Sequence, residues 1–322
     1  MGWANLFHRT RTRTPINTLT VYSVTLSWNR KDDTLDCLRS ILASDCPNVR
    51  AVLVDNASTD GTVEAVKSAF PAVTTLINPV NLGYAAGVNV GLRYALEQGA
   101  DLVCILDNDA VIAPDALARM MSVMQTHPSA GLLTPKILYH SMPDVVWYSG
   151  HKRRRVTLAP MRGSMNMRDA DLAGEPRPMD YAPCCGLLIR RAVMEKIGLL
   201  EERFFIYYED LDFCIRAQKN GFELLNVTEA RVWHKVSASA GDGSPLQKYY
   251  LARSSVRFYF KHTPRWFLPL IVLYRLGSAL RTVSRTLIHG KPQVASAYLR
   301  GLRDGVAEVF GRAEIPRERG LR

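Results

Sequence analysis

The sequence lacks several patterns that identify common classes of protein. It contains no glycine-rich phosphate loop of the form G-x-x-x-x-G-K-[ST], and no G-x-G-x-x-G follows its first apolar run. These absences disfavour an NTPase and a dinucleotide-dependent dehydrogenase. No internal repeat or low-complexity tract is visible, and 47% apolar with 22% charged residues is typical of a globular protein.

A C-x-x-C pair is also missing. The six cysteines are spread along the chain, and several lie in apolar runs, where a free thiol behaves as a small apolar side chain. The basic first residues are not followed by the long apolar segment of a signal peptide. We therefore expect a reducing compartment and a cytoplasmic location.

The net charge of +11 is concentrated at the two ends of the chain. Residues 251–322 hold 14 Lys and Arg against 4 Asp and Glu, and three arginines precede residue 14. A uniformly basic nucleic-acid-binding protein would not concentrate its charge in this way, so we predict no nucleic-acid partner. A basic tail beside a near-neutral body indicates contact with an anionic surface, for which phospholipid headgroups are the leading candidate.

The most apolar stretch of the chain spans residues 266–280. It contains Pro269 and Arg275, and it is shorter than the ~20 residues that a membrane-spanning helix needs. Its aromatic residues, with Arg265, Arg281 and Arg285 nearby, predict a helix that lies in the membrane interface. The alternative is a core-packed helix with a solvated basic face. The first interpretation predicts a peripheral protein on the inner face of the cytoplasmic membrane.

Apolar β-rich runs alternate with segments of helical period between residues 18 and about 138. This order predicts an α/β fold with a mostly parallel, Rossmann-like sheet flanked by helices. Residues 139–183 lose this periodicity and predict a long, partly mobile loop. A strand is predicted at 186–190, a helix after Glu209 and a strand at 222–227. We predict a basic extension (1–17), a sheet domain (18–244) and a basic amphipathic helical tail (245–322).

Two carboxylates, Asp107 and Asp109, directly follow the apolar run LVCIL. In open parallel sheets, ligands bind beyond the carboxyl ends of the strands. Side chains two residues apart on a non-helical turn can reach one site, where a hard cation such as Mg²⁺ uses one or two carboxylates and phosphate oxygens. A simple Asp/Asn-rich turn is the alternative.

A second acidic group, Glu209-Asp210-Leu211-Asp212, follows an aromatic run. Crowded carboxylates beside apolar surface raise the pKa of at least one of them, which suits a general base. The alternative is the first turn of a helix, where acidic residues favour the macrodipole and can act as caps.

Several further polar residues are predicted at the same edge of the sheet. Asp55 could accept hydrogen bonds from a base or ribose, and Arg30, next to Asn29, could pair with phosphate. Asn81 and Asn89 come next along the chain, near glycines that permit close backbone approach.

His234 lies in the run Trp233-His234-Lys235 near a predicted strand end. A neutral imidazole is a common metal ligand. A lone histidine is nevertheless more often structural or exposed, and both interpretations stay open on this residue alone.

Taken in order, these segments resemble family-2 inverting glycosyltransferases with the GT-A fold. The resemblance covers about residues 19–235, and within the family it is strongest to the rhamnosyltransferase and galactofuranosyltransferase-like branch. It rests on the following runs: VTLSWNR, VLVDNASTDGT, NLGYAAGVNVGL, ILDNDAVI, CGLLIRR, FFIYYEDLDFCIRAQKNGF and ARVWHK.

The resemblance implies a role for each matching residue. Asp55 would contact the base of the donor, Asp107 would lie by the ribose and the metal, and Asp109 would ligate the metal. Asp210 would be the catalytic base, with Glu209 beside it and His234 as a further metal ligand. Cys184 and Cys185 depart from the family pattern, because relatives often carry Gly or Ala there.

The predicted function is therefore a metal-dependent hexosyltransferase of polysaccharide biosynthesis that uses Mg²⁺ or Mn²⁺. Its donor would be a dTDP- or UDP-sugar, with rhamnose as the candidate sugar, and its acceptor a glycan or lipid-linked glycan. A sugar nucleotidylyltransferase and a non-catalytic nucleotide-sugar-binding module are the alternatives.

Overall fold

The computed structural model describes residues 19–161, 163–236 and 243–311. The predicted basic extension at residues 1–17 and the last residues of the tail, 312–322, lie outside the described residues. The division of the chain into three segments stays a prediction.

One mixed sheet of ten strands forms the body of the described chain. Its order is β3-β2-β1-β4-β9-β6-β10-β5, and outside this order β7 pairs with β6 and β8 pairs with β10. The strands are β1 Val21–Ser27, β2 Val49–Asp55, β3 Thr74–Ile77, β4 Leu102–Ile105, β5 Ala110–Ile112, β6 Ala130–Tyr139, β7 Met142–Tyr148, β8 Arg177–Pro178, β9 Leu187–Arg190 and β10 Glu223–His234. The pairs from β3 to β4 and the β6–β10 pair are parallel, so the predicted mostly parallel sheet is confirmed.

Helices flank this sheet. They are α1 Lys31–Leu42, α2 Thr62–Ala69, α3 Tyr84–Glu97, α4 Ala116–Thr126, α5 Arg191–Ile197, α6 Glu209–Lys219, α7 Pro245–His262, α8 Leu268–Ile288 and α9 Pro292–Val309. Small residues let α3 lie directly on the sheet, because a Cβ at Gly91 would collide with Val24 and Val54. The strands beneath are buried on both faces, as their continuous apolar runs predict.

The long loop predicted for residues 139–183 was wrong in its first part. Strand β7 occupies Met142–Tyr148 and pairs antiparallel with β6. Its Met-Pro-Asp start is exposed and has the composition of a turn, which hid the strand from the pattern. Later in this segment, Asp169 contacts the sheet: its Oδ1 lies 2.5 Å from Nζ of the fully buried Lys136 on β6.

Strand β10 is longer than predicted. The apolar pattern ends at Val227, but the strand continues to His234 after an irregular step between Val227 and Arg231. The second half of β10 pairs parallel with β6 on one side and antiparallel with β5 on the other. The pairing with β5 places His234 opposite Ala110. A residue predicted to follow the strand is therefore held within the sheet.

The first helix of the tail packs on the body. Phe258 and Tyr259 of α7 belong to one buried cluster with Phe204, Leu211 and Ile215. Helix α9 then packs along α7, where the side chains of Arg253 and Glu308, each 4% exposed, form an ion pair.

Helix α8 differs from its neighbours because its apolar residues face outward. Leu273, Leu276 and Leu280 are 66%, 61% and 70% exposed. The apolar segment is longer than predicted: by length and composition alone, Arg265–Ile288 could cross a membrane, with a mean hydropathy of 1.2 and 11% burial. Arg275 does not join this outer face, since its guanidinium donates to Ser255 Oγ on α7 at 2.7 Å.

Candidate active site

The Asp107–Asp109 turn lies where β4 ends and the chain turns into β5. The Leu106 amide still bonds to β1, through the carbonyl of Val24 at 3.0 Å. Asn108, between the two carboxylates, points toward α1, where its amide donates to Thr34 Oγ1 at 3.0 Å. The sheet edge thus fixes the turn, and Asn108 serves to anchor it.

The structure brings His234 to this turn. Its Nε2 lies 2.9 Å from Asp109 Oδ1 and 4.0 Å from Asp107 Oδ2. The pairing of β10 with β5 explains the approach, and the Lys235 amide extends it by donating to the carbonyl of Asp109 at 3.0 Å. The Trp147 ring packs edge-on against the imidazole, with centroids 5.1 Å apart. Residues more than 120 positions apart in sequence therefore share one site.

The carboxylate of Asp107 is partly buried and shared between partners. Burial raises its pKa, the charge of His234 opposes this effect, and the charge of Asp109 reinforces it. The Tyr84 hydroxyl donates to Asp107 Oδ1 at 2.6 Å, which leaves Oδ2 on the side of His234. Burial lowers the pKa of His234, but its hydrogen bond to Asp109 and both carboxylate charges outweigh burial and raise it.

Glu209 and Asp210 occupy the first turn of α6. The residues before them are strained: Phe205, Tyr207 and Tyr208 have φ values of 60°, 68° and 73°, in the left-handed region that non-glycine residues rarely adopt. Such strain persists only where surrounding structure imposes it, and it clusters at functional sites. The capping position is Tyr208, without a side-chain cap, so neither carboxylate is the cap residue.

Asp210 accepts two hydrogen bonds. Its Oδ1 takes the Leu211 amide at 2.7 Å, and its Oδ2 takes the Tyr181 hydroxyl at 2.6 Å. Burial raises the pKa of Asp210 to about 6, although these two bonds lower it, and the charge of Asp107 adds to the rise. A carboxylate with this pKa is ionised at neutral pH yet basic enough to accept a proton.

Glu209 is more deeply buried than its neighbour. Burial and the charge of Asp210 raise its pKa well above the usual value. Its Oε2 has no hydrogen-bond partner within the described ranges. The Tyr84 amide donates at 2.6 Å to the carbonyl of Phe205, four residues before Glu209, so the start of α6 lies beside the Asp107 carboxylate that the Tyr84 hydroxyl binds.

Asp55 ends β2 beside the end of β1, as predicted. It is 1% exposed, and its Oδ2 accepts the Ser58 amide at 2.9 Å. Its Oδ1 is buried without a partner in the part of the chain that the structure describes. An unpaired acceptor is costly unless a ligand satisfies it, which fits the predicted contact with a donor base.

The residues after β1 already have partners. Asn29 Oδ1 accepts the Thr59 amide at 2.9 Å, which holds the two strand-end loops together. The Arg30 guanidinium pairs with Asp33 at 2.5 Å. A phosphate contact by Arg30 therefore stays a prediction that requires this pair to open or to be shared.

Asn81 and Asn89 hold the backbone in the structure. Asn81 Oδ1 accepts from Asn56 Nδ2 at 3.0 Å and from the Gly83 amide at 2.9 Å. Asn89 bonds to both backbone groups of Leu200, at 2.9 and 3.1 Å. The geometry makes each a support of a loop, and the predicted contact of Asn89 with the donor would require its bonds to break or to be shared.

Two residues of the site escaped the sequence interpretation. Tyr84 lies in the matched run NLGYAAG and could have been singled out there. Tyr181 lies in the region without periodicity, so no pattern marked it. Both donate from a phenol to a carboxylate of the site.

The residues around Asp107 and His234 fit a divalent cation. Two carboxylates and an imidazole converge on one partly enclosed point. Carboxylates suit Mg²⁺ and Mn²⁺, whereas the imidazole nitrogen favours Mn²⁺ over Mg²⁺.

Solved structures of other enzymes share this architecture. The mannosyltransferase of Pyrobaculum calidifontis in complex with GDP-Man and Mn²⁺ aligns with a TM-score of 0.53 and 17% identity, over 93% of this chain and 90% of that one. This likeness shows the fold, which is the GT-A type predicted from the sequence.

Relatives by sequence cover most of the chain. The N-acetylglucosaminyl-diphospho-decaprenol L-rhamnosyltransferase of Mycobacterium tuberculosis is 28% identical over 75% of this chain and 84% of its own length. The dTDP-rhamnosyl transferase RfbF of Shigella flexneri is 22% identical over 84% and 86%. A model of glycosyl transferase family 2 matches residues 24–198, which is more than half of the chain. The protein thus belongs to glycosyl transferase family 2 and is a glycosyltransferase that takes its sugar from a nucleotide-sugar.

Proposed function

We propose that this glycosyltransferase moves a rhamnosyl group from a dTDP- or UDP-linked donor to a hydroxyl of a glycan or lipid-linked glycan, with inversion. The observation that carries the proposal is that Tyr84 links Asp107 to the segment leading into Asp210, because its hydroxyl donates to Asp107 Oδ1 at 2.6 Å and its amide donates to the carbonyl of Phe205 at 2.6 Å. A base and a diphosphate-binding group on one region are what a single displacement requires.

The reaction follows from these positions. Asp210 takes the proton of the acceptor hydroxyl while its oxygen attacks the anomeric carbon. The bond from that carbon to the diphosphate oxygen breaks on the opposite face, so the configuration inverts and no covalent enzyme intermediate forms. Tyr181 keeps the carboxylate oriented during the transfer. The products are the glycosylated acceptor, the nucleoside diphosphate and a proton.

Asp107, Asp109 and His234 would hold a divalent cation, Mn²⁺ or Mg²⁺. When bound, such an ion neutralises the negative charge that develops on the departing diphosphate. Tyr84 orients Asp107 toward this point by its 2.6 Å hydrogen bond.

The names of relatives support the choice of sugar and acceptor. Two relatives are named as rhamnosyltransferases, one with dTDP-rhamnose as donor and one with a diphospho-decaprenol acceptor. A lipid-linked acceptor would require the enzyme to work at a membrane. The outward apolar face of α8, with Arg281 and Arg285, supports a peripheral position on an anionic membrane surface.

A donor screen tests the proposal. The purified protein is incubated with dTDP-rhamnose, UDP-sugars and GDP-mannose, with Mn²⁺, Mg²⁺ or EDTA, and nucleoside diphosphate release is measured. We expect release from a rhamnose donor with either cation, and little with EDTA. His234→Ala should weaken Mn²⁺ binding by about tenfold or more, whereas His127→Ala at the end of α4 should not change it.

Other outcomes separate the alternatives. Binding of a nucleotide-sugar without release of nucleoside diphosphate, even with acceptor lipid, would indicate a non-catalytic binding module. Release of a nucleoside triphosphate in the presence of pyrophosphate would indicate a sugar nucleotidylyltransferase. If the enzyme used only donors other than rhamnose, the choice of rhamnose would be wrong, but the proposed transfer reaction would stand.

A further inference from the structure

Cys185 lies two residues before β9, and the pairing of β9 with β4 brings it close to the proposed cation-binding residues. It immediately precedes Gly186, whose amide donates to the carbonyl of Ile105 at 2.8 Å. Gly186 has φ +81°, and a Cβ there would meet Pro135 at 2.8 Å. The backbone at this point is therefore fixed, and it places Cys185 next to the turn that carries Asp107.

The Cys185 thiol faces the same point as two of the proposed cation ligands. Its Sγ, a carboxylate oxygen of Asp107 and a ring nitrogen of His234 all lie within 4.8 Å of one another. Ligand atoms around one tetrahedral cation are separated by roughly 3–4 Å, so a small side-chain movement would complete the set. Cys185 is 1% exposed, so its thiol is shielded from solvent.

We infer that Cys185 is an additional ligand for thiophilic divalent cations, so that Zn²⁺ or Co²⁺ binds through Asp107, His234 and the Cys185 sulfur. The inference rests on the cation site of the proposed function. An oxygen–nitrogen–sulfur donor set favours borderline and soft ions, whereas Mg²⁺ would leave the sulfur unused. On binding, the sulfur–metal bond replaces the S–H bond, and the proton passes to solvent.

The neighbouring cysteine supplies a matched control. Cys184 is also buried, but among the described residues it is Cys185, not Cys184, whose sulfur belongs to the cluster with Asp107 and His234. Only one of them should respond to a bound metal.

Absorption spectroscopy of the Co²⁺-loaded protein tests the inference. Wild type and Cys184→Ser should show sulfur-to-cobalt charge-transfer absorption in the near ultraviolet, and Cys185→Ser should lack it. Zn²⁺ affinity should fall in Cys185→Ser by more than the roughly tenfold that loss of an outer-shell partner costs. Mn²⁺ affinity should stay within about twofold, because manganese prefers oxygen ligands.

X-ray absorption at the zinc edge checks the same point without a variant. Zn²⁺-loaded wild type should show one sulfur at about 2.3 Å. Absence of sulfur there, or a charge-transfer band that survives in Cys185→Ser, would overturn the inference. If Mn²⁺ binds and supports transfer while cobalt shows no sulfur band, only the role of Cys185 fails. If neither ion binds, the cation site of the proposed function fails with it.

Discussion

The Tyr181 hydroxyl lies 2.6 Å from Oδ2 of Asp210 and donates a hydrogen bond to it. The backbone carbonyl of Tyr181 in turn accepts from the Tyr148 hydroxyl on β7. The proposed base is thus oriented from a segment that precedes β9, as well as from its own helix. This pair fixes which way the carboxylate points and how readily it ionises.

The pH dependence of transfer should reflect Asp210. Only the ionised carboxylate can accept a proton, and burial raises its pKa to about 6. Because the required form is lost as pH falls through this value, kcat should be nearly constant above about pH 7 and fall about tenfold per unit well below the pKa. Steady-state rates with saturating donor and acceptor measure this, and a profile that stays flat to about pH 5 would contradict it.

Replacing Tyr181 by Phe should move that acidic limb to higher pH. The hydrogen bond stabilises the ionised carboxylate, so its loss raises the pKa of Asp210. At a fixed pH near the pKa of Asp210, kcat of the variant should be lower than that of wild type, and it should recover as the pH is raised. Tyr148→Phe removes a neighbouring phenol that bonds to backbone rather than to Asp210 and should leave the limb in place.

Asp210→Asn should separate chemistry from binding. The amide keeps the shape of the side chain but cannot accept the acceptor proton, so kcat should fall by about 10²–10⁴. Donor and Mn²⁺ affinities, measured by calorimetry, should remain near those of wild type. Equal loss of donor binding would contradict the assignment, and the exposed Asp171→Asn serves as the control.

The part of the site closest to the apolar strands was predictable. Asp55 and Asp107 follow buried runs, and parallel strands bring their carboxyl ends to one edge. The sheet order of β1, β2 and β4 follows from the same alternation of strands and helices.

The parts of the site that depend on contacts between segments far apart in sequence could not be predicted. His234 reaches Asp109 only because β10 continues beyond an irregular step and pairs with β5, and no local pattern encodes that register. Tyr181 contacts Asp210 across 29 residues from a segment without periodicity. The outward face of α8 was predicted from composition, but the inward direction of Arg275 depends on where α7 lies.

Asp212 joins α6, the helix of the base, to α7. It is fully buried, and its carboxylate bonds to His262 Nε2 at 2.7 Å, Lys261 Nζ at 2.6 Å and Arg216 Nε at 2.7 Å. Burial opposes ionisation of Asp212, but the bond from His262 and the charges of Arg216 and Lys261 outweigh it and lower its pKa to about 2.

Asp212→Asn should therefore destabilise the protein. Removing one partner from a buried ionic cluster costs about 3–5 kcal/mol, which urea denaturation would measure. The exposed Asp36→Asn, which breaks a surface pair with Arg39, should cost less than about 1 kcal/mol. Because the pKa is lowered in the fold, the contribution of Asp212 is present above about pH 4 and lost as pH falls toward the folded value. Equal costs for both variants would contradict the role of Asp212.

Membrane binding should depend on the outer face of α8. Leu276→Glu combined with Leu280→Glu places two charges in its exposed apolar stripe, so sedimentation with phosphatidylglycerol vesicles should be lost. Leu42→Glu alters a leucine that is 44% exposed on α1 and should leave sedimentation unchanged.

The mode of membrane contact has a separate signature. If α8 lies in the interface, Arg281→Glu and Arg285→Glu should each weaken vesicle binding, since a basic residue near an anionic surface contributes about 1 kcal/mol. Salt at about 1 M should release the wild type, because it shortens the screening length to about 3 Å. A helix that spans the bilayer would resist both salt and alkaline carbonate and require detergent. Release by salt would thus support the peripheral position, whereas retention after carbonate would contradict it and favour the spanning length that α8 possesses.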